Sequence, residues 1–437
     1  MTPPRTAHRS SASRRPLAGL AGLNSIVAGM VAAALITTGC SSGPDSTADS
    51  APAASTFSDS TSDVNDARDT SIPDARRAEM DARTEAAAQQ LDEMYVIGPG
   101  AAGELGYRVD WQRETRPSEG SGIRRVKLQH DSVFVLDGKN FLARIRIDDG
   151  TSLWRLPIVE PTREVLGINF VPYLNTVYVT GGGGVLVLDG DNGSTVGLQR
   201  LDKIAATTPT QVDEFLVYGA RSGELVWHSF EQDFTANSYK VARSINIDPI
   251  IDSPFVVAVG NNGRVMTLNV ESRTQLWSKR MLDTIVARPA IANGVVYIAG
   301  RDQYISGIDL RSGQTMWNYL TTSPLETSPI AIDDRVYQWV PGQGLVCFEA
   351  RPRDAFGGRV IWIADGVSGE VITQHRDRLL VWDQARHTMT TVDAARGQVV
   401  SEVVLPSVNT LLSTSVDSGE MYVTAEDGRL LRLVPRD

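Results

Sequence analysis

The chain has 437 residues, 22% of them charged and 42% hydrophobic, an ordinary globular balance with room for several domains or one large all-β domain. Its formal net charge is −10, and the only Lys or Arg residues before position 40 are Arg5, Arg9, Arg14 and Arg15, with no acid among them. Removal of that segment leaves a still more acidic remainder, so the counterion-releasing basic surface that nucleic-acid binding requires is missing.

The N-terminus reads as an address. After the four arginines, Leu17–Thr38 carries no charge and runs into Gly39-Cys40-Ser41. A basic region, an apolar stretch and small residues before a cleavage point describe an export signal. Small residues directly before a single cysteine also resemble the bacterial lipobox, in which the cysteine thiol takes a diacylglycerol and becomes the new N-terminus. That resemblance implies a signal peptide over 1–39 and lipidation of Cys40, although Thr37 stands where the lipobox prefers Leu. The alternative is an uncleaved anchor, because the stretch is long enough to span a bilayer. Gly19, Gly22, Gly29, Asn24 and Ser25 favour removal. Either way the arginines stay inside and the remainder faces outward. Ser41 in place of Asp points, by resemblance to the Gram-negative lipoprotein sorting rule, to the outer membrane and the periplasm.

Residues 40–72 are mostly Ser, Asp, Ala and Thr, too polar to offset their own ordering entropy, and are expected to form a disordered tether. Over 73–95 the composition shifts to strong helix formers opened by Pro73, which predicts a helix. Met80, Thr84, Ala87, Leu91 and Met94 fall at spacings of three and four. The expected helix packs on, or leads to, the main domain, and a partner-binding helix is the alternative.

From residue 130 onward short β-rich runs recur between turn signals. Taking Val133, Val177, Leu216, Val257, Val296, Val336, Leu380 and Met421 as equivalent, the period is about 41 residues over eight units, the signature of a β-propeller with four strands per blade. A second motif recurs within the units. Asp189, Asp309 and Asp393 each precede a glycine by four, at Gly193, Gly313 and Gly397. Trp154, Trp317 and Trp362 each follow a glycine by four, and Trp277 follows Arg273 in the glycine's place. Asp at a turn start accepts backbone N–H groups, Gly supplies a conformation other residues resist, and the ring packs on a neighbouring blade. Val196-Gly197 and Val400-Ser401 stand where two tryptophans are expected, and Trp227 reads as lying on a different strand. The eighth unit ends without a Trp-bearing strand, whereas Gly106–Glu114 looks like that strand displaced to the N-terminus, with Trp111 in the Trp role. The predicted domain is an eight-bladed all-β propeller over 104–437, closed by this strand, which also removes an exposed edge.

Catalytic patterns are sparse. His130, His228, His375 and His387 are scattered without a paired nucleophile. Gly181–Gly184 lacks the Lys-Ser/Thr of a phosphate loop and reads as a hairpin turn. Asp189–Gly193 lacks the distal Glu of a calcium loop and coincides with a repeat turn. Cys347 lies in a strand-like run where an inert buried thiol is expected, and no CxxC or HExxH spacing offers a zinc site.

With their Asp-to-Gly turn and following Trp, the units over 104–437 resemble the PQQ-type repeats of eight-bladed quinoprotein-like propellers. Two groups share them: quinone- and calcium-dependent alcohol dehydrogenases, and the BamB-type lipoproteins of outer-membrane β-barrel assembly. The dehydrogenase resemblance implies a disulfide of adjacent cysteines beside the quinone, which this chain lacks, and no position here matches that family's calcium ligands or catalytic Asp. The BamB-type resemblance implies a monomeric, non-enzymatic scaffold without cofactor or metal. It would be anchored through lipid on Cys40, with envelope proteins, among them β-barrel assembly components, as partners. A generic adaptor for envelope proteins or glycans stands beside it.

Overall fold

The computed structural model describes residues 74–158, 164–353 and 357–436. The expected signal peptide over 1–39, Cys40 and the tether over 40–72 lie outside the described residues. Those described form eight four-stranded antiparallel sheets, each contiguous in sequence except the last. Blade two shows the plan: Val165–Val171 innermost, then Thr176–Gly181, Gly184–Asp189, and Thr195–Arg200 at the outer edge. Second strands lie between neighbouring blades and are buried on both faces, which is why Val295–Ala299 is apolar throughout instead of alternating. All eight repeat markers fall on second strands. The ladder register moves two of them by one residue: Val256 and Leu379, facing Leu268 and Val392, are the counterparts of Val296 facing Ile308.

The eighth blade closes as the sequence predicts. Tyr107–Glu114 pairs antiparallel with Arg429–Pro435, from Tyr107 opposite Pro435 to Glu114 opposite Arg429, with a bulge between Val109 and Trp111. Arg432 reinforces this seam. Its guanidinium donates to Glu420 at 2.7 Å, to Asp110 of the closing strand at 3.0 Å and to the Ile147 carbonyl of blade one at 3.1 Å.

Trp residues lock five of the eight blades to the next. The indole N–H of Trp111, Trp154, Trp277, Trp317 and Trp362 donates to a carbonyl in the following blade, at Ile147, Gly190, Leu310, Ala350 and Ala394, over 2.7–3.0 Å. The same five rings lie against five glycines of that following blade. A Cβ on Gly150, Gly193, Gly313, Gly358 or Gly397 would meet them, respectively, within 2.4–2.9 Å. Asp, Gly and Trp are therefore written as one motif but serve two interfaces. The Asp and Gly receive a ring from the preceding blade, while the Trp goes to the next. Where the preceding blade lacks the ring, the glycine is gone too. Gly197 of blade two is followed by Asp233 in blade three, and Asn237 of blade three by Arg273 in blade four, at φ of 52° and 57°. Arg273 instead lies over the Phe215 ring at 4.2 Å.

Two helices precede the ring. α1, Asp74–Met94, matches the predicted helix, and its described side chains are almost all exposed, Met80, Leu91 and Met94 included. The stripe of apolar residues packs on no blade; α1 leads into α2, Pro99–Glu104, a helix too short to leave a periodic signal. Val96, Ile97, Ala102 and Leu105 around α2 are buried with Leu380, Trp382, Met421 and Leu433 between blades seven and eight. This is the junction where Ser401 replaces a tryptophan, so the N-terminal segment fills the place of the missing ring.

Candidate interaction surface

The residues that catalysis would recruit are engaged or sealed off. His228 on blade three's third strand is fully buried, its Nε2 3.2 Å from Gln199 Oε1. Burial pulls its proton affinity down, and Asp233 and Asp202 only partly oppose this. His387 Nδ1 lies 3.0 Å from the Val408 carbonyl, His375 packs on Tyr107 with ring centroids 5.5 Å apart, and His130 sits edge-on to Phe170. Cys347 is buried opposite Trp362, and burial pushes its thiol up to about 12, the inert state expected of it. Gly181–Gly184 forms the hairpin between blade two's middle strands. Asp189 spends one carboxylate oxygen on the N–H groups of Asp191 and Asn192, at 3.0 and 3.1 Å, as a repeat turn requires. Among the described residues no three His, Cys, Asp or Glu side chains gather as a metal site.

What the fold does present is edges. Each outer strand leaves one row of backbone donors and acceptors unpaired, and native sheets guard such rows with charge, proline or covering elements. Blade one's outer strand ends in Pro157, and blade four's carries Lys279 and Arg280. Blade two's, Thr195–Arg200, has a single charge at its last position. Its Val196 and Leu198 share a face and are 62% and 65% exposed. Gln199 turns the other way, donating to the Phe230 carbonyl of blade three at 2.6 Å, which positions the strand without an indole. Blade seven's outer strand, Val399–Val404, exposes Val399, Val400 and Val404, but α2 lies against it. Of the blades without the Trp, two and seven thus carry aliphatic outer strands while blade three's, Phe234–Lys240, is mostly polar, and blade two's is the more open of the aliphatic pair. Sequence reasoning missed these positions, since Val196-Gly197-Leu198 registers there only as a degraded repeat.

Comparison with known proteins supports the same architecture. A family model described as outer membrane protein assembly factor BamB matches residues 212–351. BamB of Yersinia pestis is 22% identical over 351 residues, covering 71% of this chain and 86% of the relative. BamB of Escherichia coli K12 gives 22% over 347 residues with the same coverage, and that of Salmonella typhimurium 23% over 184 residues, 39% of this chain and 45% of the relative. Among solved structures, BamB from Moraxella catarrhalis superposes with a TM-score of 0.58 at 15% identity, over 75% of this chain and 97% of that one. The computationally designed protein Ika8 superposes with 0.59 at 16% identity, over 74% and 98%. With the eight blades, the closing strand and these similarities together, the chain is a BamB-like propeller of PQQ-type repeats.

Proposed function

We propose that this protein is a non-enzymatic, extracytoplasmic lipoprotein scaffold that binds envelope proteins during outer-membrane β-barrel assembly. It would be anchored through Cys40 at the periplasmic face of the outer membrane. The observation that carries the reading is the similarity to BamB across most of both chains. The proposed contact is blade two's outer strand, where an extended partner segment adds to the free edge. Backbone pairing supplies affinity there, and Val196 and Leu198 supply apolar contact.

Photo-crosslinkers placed at Val196 and Leu198 in intact envelopes test this contact. Capture of barrel-assembly components is expected; recovery of other partners alone would redirect the protein to general adaptor work. Cys40→Ser should release it from the membrane fraction. Mixing purified protein with pyrroloquinoline quinone and Ca²⁺ addresses the enzymatic alternative, for which a bound chromophore and alcohol-dependent dye reduction would be decisive.

A further inference from the structure

Around the propeller axis, ladder register places Arg125, Thr208, Asp248, Arg288 and Ser328 at one level. Each lies two residues before an equivalent position on its blade's innermost strand, Lys127 in blade one, Thr210, Ile250, Ala290 and Ile330 in blades three to six. Blade two contributes Gly167, where a Cβ would meet Pro209 Cδ at 2.6 Å. Over that gap Arg125 reaches past its neighbour, donating to the Leu166 carbonyl at 2.7 Å and to Thr208 Oγ1 at 3.3 Å. The Thr208 backbone N–H in turn donates to Asp248 Oδ1 at 2.8 Å. One belt therefore joins blades one to four around the opening and engages the guanidinium of Arg125 and one carboxylate oxygen of Asp248.

Lys127 and Arg288 stay outside it. Neither has a hydrogen bond or ion pair among the described residues, although Lys127 is half-buried. Burial lowers the proton affinity of Lys127, and the charges of Arg288 and Arg125 push the same way, with Asp248 opposing. Lys127 thus lies close enough to feel both other cations. Glu164 is held at the rim by Arg221. Glu370 keeps its proton more tightly through burial, opposed by a Ser328 backbone hydrogen bond. In a chain of net charge −10, three cations gathered around the one carboxylate of Asp248 leave a local positive excess that a bound anion would relieve.

We propose that the axial opening at Arg125, Lys127 and Arg288 binds a phosphate-type oxyanion, free or carried on a small molecule. Lys127 sits two residues deeper than the belt and Arg288 on it, so their donors come from different heights, which suits a tetrahedral anion better than a planar carboxylate.

Calorimetric titration of the purified protein at low ionic strength, with inorganic phosphate in one arm and glycerol 3-phosphate in another, tests this. Saturable 1:1 binding is expected, weakened at least about tenfold by Lys127→Gln and by Arg288→Gln. Arg311→Gln, on blade five's outer turn, should leave it unchanged. Tighter binding in the second arm would identify the carried form. Absence of saturable binding up to about 10 mM, or binding indifferent to both axial variants, would overturn the proposal.

Discussion

Gly397→Ala isolates the ring-on-glycine contact. At φ of 72° an added Cβ lies 2.4 Å from Trp362 Cε3, in a backbone conformation that L side chains resist. The left-handed conformation costs about 1–2 kcal/mol, and forcing the ring aside about 1–3 kcal/mol more, for a total of roughly 2–5 kcal/mol. Trp362→Ala alone should cost about 3–5 kcal/mol, because the ring is nearly buried and its N–H holds the Ala394 carbonyl. Without that ring the second component vanishes. In the Trp362→Ala background, Gly397→Ala should cost only about 1–2 kcal/mol, a coupling of about 1–3 kcal/mol between blades six and seven. Urea unfolding followed by far-ultraviolet circular dichroism measures all four corners of the cycle without relying on tryptophan emission. Arg273→Gly, at a turn that no indole presses, should stay within about 1 kcal/mol of wild type, the loss of its contact with the Phe215 ring included. Equal costs for Gly397→Ala in both backgrounds would refute the account of why glycine and tryptophan are retained together.

Two further outcomes follow from the seam and the core. Deleting residues 73–114 bares the edge of Arg429–Pro435 and removes Trp111, so size-exclusion chromatography with light scattering should find self-association; a well-behaved monomer with unchanged melting would contradict the role of the closing strand. His228 is held neutral by burial, its folded-state pKa lying below the unfolded one. Its contribution is complete above about pH 6.5 and erodes as pH falls below that value. His228→Gln should therefore flatten the acid side of the stability profile, and parallel profiles would exclude this assignment.

Much of the architecture was legible in the sequence because repetition amplifies weak signals. Eight copies of a poorly defined strand fix a period that one copy could not, and the missing last strand was visible as Trp111 out of place. The register of Val257 and Leu380 was not, because strands buried on both faces lose the alternation that sets register. Nor was the destination of each ring. Gly313 and Trp317 are neighbours in sequence, yet Gly313 receives Trp277 and Trp317 reaches Gly358, a relation that only closed geometry reveals. The candidate surface hid for a related reason. An outer strand such as Thr195–Arg200 has the residues of a buried one, and only its place at the sheet margin leaves Val196 and Leu198 in solvent. Of the axial cations, Arg288 lies more than a hundred residues from Arg125 and Lys127 and joins them only in the ring.

Because the outermost strand of blade eight is made before blade one and its hydrogen-bonding mate follows the other seven blades, assembly of the circle must wait until Arg429–Pro435 has been made. Until then Tyr107–Glu114 is a strand without a neighbour and the Ile147 carbonyl lacks the indole it later accepts. A nascent chain halted before Arg429 would carry two bare edges, Tyr107–Glu114 and Met421–Thr424, that both need the missing strand, so such a truncation should be as damaging as loss of an entire blade.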